Sequence, residues 1–145
     1  MPMAFLVTAC PSHSGTSLPR PVRAWTAPSI TPIGQPETAG DTVVVYGTVD
    51  QDLYLYGLAV NDGSIRWRQP ATPSATTAGI PMRPAVIDGL VAYLRPDAKV
   101  HLAARLVVAS PQTGADRLVS DVMTFRSQPS PCPDGRDVCV MTDEG

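Results

Sequence analysis

The sequence has little of the chemistry that most nucleic-acid-binding proteins and metalloproteins use. Its 145 residues include one lysine and two histidines, and the formal net charge is −2. The basic residues are almost all arginines scattered along the chain, so no large positive surface is available for nucleic acid. The histidines, His13 and His101, are far apart and no C-x-x-C pair is present, which disfavours a metal site. We therefore expect no nucleic-acid partner and no metal or other cofactor.

Uninterrupted helical segments are also scarce. The 16 prolines and 11 glycines punctuate the chain every few positions, and a proline inside a helix removes a backbone hydrogen bond and kinks it. A hydrophobic content of 43% with 17% charged residues is that of a chain that folds, and the length suits one ordinary domain. The composition therefore predicts an all-β fold of short strands and turns.

Residues 1–10 form a short apolar run that ends in Val7-Thr8-Ala9-Cys10. This ending resembles the bacterial lipobox, in which small residues precede a cysteine that receives a lipid. The resemblance implies that Cys10 is lipidated and that the protein is exported from the bacterial cytoplasm, to be lipid-anchored in the cell envelope or secreted. The run departs from ordinary signal peptides because it is short and no positive charge precedes it, so we expect the true start codon upstream. The alternative is an ordinary apolar N-terminus with a chance cysteine.

Residues 11–34 are rich in proline, serine, threonine and glycine, and they are predicted to form a tether that holds the domain away from the membrane. Trp25 interrupts this stretch with a large apolar side chain. It is either an isolated strand that pairs elsewhere or a tryptophan that caps a core.

Three strand-like segments follow in residues 43–69. The middle one, residues 53–60, is apolar on both faces, which is typical of a strand packed between two layers. Asn61-Asp62-Gly63 is a strong hairpin signal because these residues tolerate positive φ. The returning strand alternates Ile65, Trp67 and Gln69 with Arg66 and Arg68. One of its faces is therefore exposed to solvent, which suits the edge of a sheet.

The same scheme recurs along the chain. Pro84 and Val91 repeat the spacing of Pro36 and Val43 at a distance of 48 positions, and Val138 lies 47 positions beyond Val91. A repeat of this length with several short strands is typical of β-propeller blades, so the sequence predicts about two and a half blades of antiparallel strands. Their predicted bounds are residues 35–82, 83–129 and 130–145, the last being only the start of a blade.

Residues 58–67 resemble the blade signature of pyrroloquinoline-quinone-type β-propellers. The alanine, glycine and tryptophan of that signature are matched by Ala59, Gly63 and Trp67, whereas Asn61-Asp62 depart from its usual turn residues. The resemblance implies that the glycine turns between two outer strands and that the tryptophan docks between blades.

The second unit matches this signature less completely. It keeps the glycine as Gly114 but carries Leu118 where the tryptophan is expected. The resemblance as a whole covers roughly residues 35–145. Propellers close with typically four to eight blades, and each repeat buries its faces only against a neighbour. We therefore expect that these residues do not form a closed, independently stable propeller and that they need a protein partner or the remaining blades.

The number of cysteines is odd, and lipidation of Cys10 would leave Cys132 and Cys139 as a pair. These two flank a turn at Asp134-Gly135, which brings them within reach of a disulfide bond. A disulfide agrees with an oxidising compartment outside the cytoplasm. The alternative is two unpaired core cysteines.

No set of residues in the sequence amounts to a catalytic site. His13 falls in the predicted tether and His101 beside Leu102 in a predicted strand, so both are interpreted as structural or surface histidines. Asp50 and Asp52 are compatible with a weak cation loop, but a solvated turn is the simpler interpretation.

The sequence favours a non-catalytic, exported propeller scaffold or binding module whose first contact loops are residues 50–52 and 134–137. One alternative is the N-terminal part of a quinone-dependent dehydrogenase, and another is the extracellular sensor domain of a membrane receptor. Dehydrogenases of the resembling family hold their quinone beside adjacent disulfide-bonded cysteines. Cys132 and Cys139 are not adjacent, so no quinone site is carried over.

Overall fold

The computed structural model describes residues 25–27, 29–74 and 82–143. These residues form ten β-strands and no helix, which confirms the predicted all-β class. The described part of the chain accordingly has no helix that is long and apolar enough to cross a membrane. The strands belong to two four-stranded antiparallel sheets and one two-stranded sheet. Cys10 and His13 lie outside the described residues.

The first sheet contains strands β1 (Thr31–Ala39), β2 (Thr42–Val49), β3 (Asp52–Ala59) and β4 (Ile65–Pro70), in that spatial order. Tight turns join the strands. Asp50 and Gln51 both take positive φ, as a two-residue hairpin turn demands. Gly63 takes φ 73° between β3 and β4, so the hairpin predicted there is confirmed.

The second sheet repeats this order with β5 (Ala85–Ile87), β6 (Leu90–Pro96), β7 (Ala104–Ala109) and β8 (Asp116–Val119). A short hairpin of β9 (Ser130–Pro131) and β10 (Val138–Cys139) follows.

The pairing is equivalent in the two large sheets. Gly57 lies opposite Trp67 in the first sheet, and Val108 lies opposite Leu118 in the second. Both pairs sit next to a shift of register between the third and fourth strands. The two sheets therefore have the same architecture, with their last two strands 51 positions apart in the sequence.

The first strand begins inside the predicted tether. Thr31 pairs with Thr48 and Ile33 with Tyr46 of β2, so the tether prediction is wrong for residues 31–34. Pro32 and Pro36 are compatible with β1 because it is an edge strand, where a missing N–H need not break the hydrogen bonds to the neighbouring strand.

His101 lies in an exposed turn, so the prediction of a strand there is wrong. The side chain of Asp97 accepts hydrogen bonds from the backbone N–H groups of Lys99 at 2.9 Å and Val100 at 3.0 Å. Leu102 takes φ 64° in the same turn. These local bonds compete with a strand and close the connection between β6 and β7.

The two large sheets pack face to face over one hydrophobic core. Burial raises the pKa of Tyr46 and of Tyr93 in this core, so both phenols stay neutral. The inter-sheet core consists of Val44, Tyr46, Leu55, Trp67, Ala71, Met82, Val91, Tyr93, Val107 and Ala109.

Strand β3 is buried from both sides, which confirms the prediction from its apolar sequence. Leu55 belongs to the inter-sheet core, whereas Tyr56 and Leu58 belong to a separate cluster with Ile30 and Val45. Trp25 and Ala27 pack against this second cluster. A short segment before β1 therefore covers part of the outer side of the first sheet.

The β9–β10 hairpin covers part of the outer side of the second sheet. Val138 packs against the cluster formed by Ala85, Ile87 and Ala92. Phe125, between β8 and β9, is buried against Leu94 and Ala104 in a neighbouring cluster.

Two arginine–aspartate pairs connect strands within the large sheets. Arg66 donates to both carboxylate oxygens of Asp41 at 2.8 and 2.7 Å. Arg95 donates to both carboxylate oxygens of Asp116 at 2.8 and 2.7 Å, which links β6 to β8. These hydrogen bonds lower the pKa of Asp41 and of Asp116.

Replacing Asp116 with asparagine is expected to reduce the loss of stability on acidification. The pKa of Asp116 in the folded protein lies below its ordinary value of 3.8, so the pair stabilises the fold above that pH. The stabilisation is lost as the pH falls through the lower, folded-state pKa. Because Asp116 is partly exposed, the variant should lose at most about 1 kcal/mol of unfolding free energy at neutral pH.

Urea unfolding at neutral pH and near pH 2 measures this difference. The gap between wild type and D116N should close at the lower pH. Asp121→Asn, at an exposed aspartate with no ion pair to any described residue, serves as the control. A gap that is equally large at both pH values would contradict the assignment.

Candidate functional site

Trp67 lies in a slot formed by glycines of both large sheets. Its indole N–H donates to the carbonyl oxygen of Pro111 at 2.7 Å, and the residue is only 7% exposed. A Cβ atom at Gly114 would lie 2.7 Å from the Trp67 ring, and one at Gly57 would lie 2.2 Å from it. Glycine at both positions therefore leaves the space that the indole fills between the sheets.

The turn that receives Trp67 has a defined hydrogen-bond pattern. Gly114 N–H donates to the Ser110 carbonyl at 2.8 Å, and Ser110 N–H donates to the Ala115 carbonyl at 2.9 Å. Gly114 takes φ 70°. The pattern leaves the Pro111 carbonyl pointing to the indole, so the turn acts as an acceptor site for a tryptophan.

The first sheet contains the same turn. Gly63 N–H donates to the Ala59 carbonyl at 2.8 Å, and Ala59 N–H donates to the Ser64 carbonyl at 2.9 Å. This turn also receives a tryptophan, because the Trp25 indole N–H donates to the Val60 carbonyl at 2.7 Å. A Cβ atom at Gly63 would lie 2.2 Å from the Trp25 ring.

Trp25 thus caps a core, which is one of the two interpretations that the sequence left open. Sequence reasoning missed that Trp25 and Trp67 are equivalent. The signal was present, since Trp25-Thr-Ala-Pro28 and Trp67-Arg-Gln-Pro70 share a W-x-x-P pattern 42 positions apart. Each tryptophan precedes its glycine turn in the chain; Trp67 lies in β4 of the first sheet, whereas Trp25 lies in the short segment before β1.

Leu118 occupies the position of Trp67 in the second sheet, opposite Val108. It is 54% exposed, and the next residue, Val119, is 42% exposed. No glycine turn of the described chain receives Leu118. Trp25 and Trp67 are therefore each docked on a glycine turn, whereas Leu118, at the equivalent position of the second sheet, is docked on none in the described chain.

The loop at residues 134–137 is closed by a disulfide bond between Cys132 and Cys139, whose Cα atoms are 5.0 Å apart. The Asp134 carboxylate accepts hydrogen bonds from the backbone N–H groups of Arg136 at 3.0 Å and Asp137 at 3.4 Å. These bonds lower the pKa of Asp134. The result is a small, constrained and exposed loop.

A cleft of about 460 Å³ lies between the edges of the two large sheets and the segment that leads into β9. Arg83 and Glu37 form an ion pair in its wall. Ser130 is the only hydroxyl side chain in the lining, no histidine lines the cleft, and Cys139, which pairs with Ser130, is held in the disulfide with Cys132, so the lining offers Ser130 no histidine or thiolate base. The cleft is lined by Glu37, Arg83, Pro84, Ala85, Val86, Gln128, Pro129, Ser130 and Pro131.

The described residues show no group of three or more histidine, cysteine or acidic side chains that is placed to hold a metal ion. Residues 50–52, the possible cation loop, form a tight exposed turn. His101 is exposed and makes no side-chain hydrogen bond to another described residue. The most specific contacts in the described chain are instead at the glycine turns, where an indole ring packs on the glycine and its N–H donates to a backbone carbonyl.

Comparison with known proteins adds no relative to these observations. No family model, curated protein or solved structure matches the chain. The residues that carry a functional interpretation are therefore those of the two tryptophan contacts and the disulfide-closed loop.

Replacing Gly114 with alanine is expected to destabilise the protein more than replacing Gly89 with alanine. Both glycines have positive φ, 70° and 72°, so both variants pay the same backbone strain of about 1–2 kcal/mol. Nothing lies within 4 Å of a Cβ atom at Gly89, whereas one at Gly114 collides with Trp67. The collision should add about 1–3 kcal/mol.

Urea unfolding followed by tryptophan fluorescence measures both variants, since Trp67 reports on its own slot. A red-shifted emission in the G114A variant alone would show that the indole has left the slot. Equal destabilisation by G114A and G89A would contradict the assigned contact.

Replacing Cys132 and Cys139 together with serine is expected to lower the unfolding free energy by about 2–3 kcal/mol, because the closed loop is short. Mass spectrometry of the wild type, with alkylation before and after reduction, checks the bond itself: two cysteines should become reactive only after reduction. Since the loop is at the surface, the double variant should keep the fluorescence of the Trp67 slot. Alkylation of both cysteines without reductant would contradict the disulfide.

Proposed function

We propose that this chain is a non-catalytic, exported scaffold or binding module of the β-propeller type, anchored to the bacterial cell envelope through a lipid on Cys10. Its two four-stranded sheets are successive blades, and it acts by presenting blade faces and loops to a partner.

The observation that carries this proposal is the repeated contact between a tryptophan and a glycine turn. Trp25 docks on the turn of Gly63 and Trp67 on the turn of Gly114, each with an indole hydrogen bond of 2.7 Å. The contact of Trp67 joins the two sheets, whose strand order is identical, and the contact of Trp25 joins the segment before β1 to the first sheet. Stacking of identical small antiparallel sheets through their faces is how repeat proteins with propeller blades bury their cores.

The stacking also supports a binding role. Each sheet is apolar on both sides, and only the sides that face each other form the large inter-sheet core. The outer sides are covered by short segments on either end. Repeats of this kind are stable when neighbours cover both sides, so a partner or the remaining blades complete the arrangement.

Two further observations support an extracytoplasmic, non-catalytic protein. The disulfide between Cys132 and Cys139 is compatible with an oxidising compartment. These cysteines are seven positions apart, unlike the adjacent pair of quinone dehydrogenases, so the observations favour the scaffold over the enzyme.

Expression from the native gene, with its upstream region retained, tests the export and the anchor together. Labelling with an alkyne analogue of palmitate should mark the wild-type protein, which should fractionate with membranes. The Cys10→Ser variant should lose the label and at least tenfold of its membrane-bound fraction. The matched control, Cys139→Ser, removes a different cysteine and should keep the label. Unlabelled wild-type protein in the cytoplasmic fraction would overturn the proposed localisation.

A further inference from the structure

The β9–β10 hairpin depends on its disulfide more than on its backbone pairing. Its two strands have two residues each and pair at only two positions. Pro131 has no backbone N–H to donate, and a two-stranded hairpin is at best marginally stable by itself. The bond between Cys132 and Cys139 is therefore the strongest link between the two arms of the hairpin.

The hairpin also packs loosely on the second sheet. Val138 contacts the cluster of Ala85, Ile87 and Ala92, but this valine is itself only partly buried. A cleft of about 130 Å³ lies between the sheet and the side chains of Arg136 and Val138. The cleft of about 460 Å³ described above borders β9. Thin packing of this kind is typical of segments that open locally while the rest of a protein stays folded.

The base of the hairpin is, by contrast, fastened to the body of the fold. Phe125 is 2% exposed and pairs with Thr142 in an antiparallel bridge. Arg126 N–H donates to the Met141 carbonyl at 2.7 Å, and Met141 N–H donates to the Ser127 hydroxyl at 2.8 Å. Opening of the hairpin would therefore be limited to the part of the chain between these two fastened segments.

The disulfide is accessible to a thiol from solvent. Cys139 is exposed and Cys132 is partly buried. Disulfides are reduced by attack of a thiolate on one sulfur, and exposed disulfides are the more labile ones. A dithiol can therefore reach the bond at Cys139 while the protein stays folded.

The reduction takes place in two exchange steps. One thiolate of the dithiol forms a bond to Cys139 Sγ, and the bond between the two Sγ atoms breaks. Its electron pair leaves with Cys132 Sγ, which then takes up a proton. The second thiolate of the dithiol displaces Cys139 Sγ, which is protonated in turn, and the dithiol leaves as a disulfide.

We propose that the Cys132–Cys139 disulfide is a redox switch that controls residues 130–139 as a flap over the outer side of the second sheet. With the disulfide formed, the flap is closed. After reduction by a dithiol it opens on its fastened base and uncovers Ala85, Ile87 and Ala92. The loop at residues 134–137 moves with the flap.

The switch changes both a blade face and a loop that the proposed module would present to a partner. In this respect the inference rests on the proposed function, whereas the opening itself is measured on the hairpin. The two can therefore fail separately.

The test uses the full chain carrying Cys10→Ser, so that Cys132 and Cys139 are its only cysteines. Dithiothreitol is the dithiol, and the reduced and oxidised proteins are compared by nuclear magnetic resonance. On reduction, the backbone order parameters of residues 134–138 should fall from about 0.85, the value of a rigid backbone, to below about 0.6. The order parameters of Phe125 and Thr142, at the base, should not change.

A soluble gadolinium chelate measures whether the sheet is uncovered. The paramagnetic relaxation of the Ile87 and Ala92 methyl groups should rise roughly twofold or more on reduction, because local opening exposes them to solvent. Val91 and Val107 are the matched controls. They lie on the opposite side of the same sheet at 0% exposure, so their methyl groups should stay protected.

The double variant Cys132→Ser/Cys139→Ser separates loss of the bond from other effects of the reagent. It should show the open flap both with and without dithiothreitol. Reoxidation of the reduced reference protein should restore the closed flap, whereas the double variant should not respond.

A reduced protein that keeps its order parameters and its methyl protection would overturn the inference, because the disulfide would then be only a structural link. Loss of the fluorescence of the Trp67 slot on reduction would also overturn it, since the whole fold would then have opened. So would a disulfide that dithiothreitol does not reduce in the folded protein. Palmitate labelling of the wild type is measured separately, so a closed flap in a lipidated protein would end this inference and leave the proposed scaffold standing.

Discussion

The seat of the Trp67 indole between two glycines is the contact on which the rest of the structure depends. The ring fills the space that the absent Cβ atoms of Gly57 and Gly114 leave, and its N–H is satisfied by the Pro111 carbonyl. A buried tryptophan removes a large apolar area from water while its polar end requires one well-placed acceptor. Both requirements are met only in one relative position of the two sheets. The position of the sheets, and the core of valines and tyrosines between them, follow from that contact.

Features set by near neighbours in the chain could be predicted from the sequence. The hairpin at Gly63 and the doubly buried β3 follow from turn chemistry and from apolar residues on both faces of one segment. Prediction failed where local signals conflicted with context. The prolines before residue 35 indicated a tether, but β1 begins at Thr31 and, as an edge strand, tolerates Pro32. Asp97 closed a turn through its side chain where apolar neighbours of His101 indicated a strand.

The candidate site could be predicted only in part, because its contacts join distant parts of the sequence. Trp67 reaches Pro111 over 44 positions and Trp25 reaches Val60 over 35. The sequence identified Gly63, Trp67 and Gly114 as a motif through a resemblance, and the structure shows which glycine receives which tryptophan. The role of Trp25 was missed because the W-x-x-P pattern that it shares with Trp67 recurs after 42 positions, whereas the strand repeat recurs after 47 or 48. The equivalence of Leu118 to a docking tryptophan could likewise be recognised only after the contacts of Trp25 and Trp67 were known.

The order of tryptophan and glycine along the chain also determines how this protein can be recombined. The turns of Gly63 and Gly114 each receive a tryptophan that lies earlier in the sequence, so a joint is contained in the segment from one tryptophan to the next. Residues 25–66 carry one complete joint, with Trp25 and Gly63 together. A chimaera cut in the connection between the two large sheets would separate Trp67 from Gly114 and match each to a foreign partner. Cutting inside β4, just before Trp67, would keep Trp67 with Pro111 and Gly114, but the preceding segment would then need a glycine at the position of Gly57.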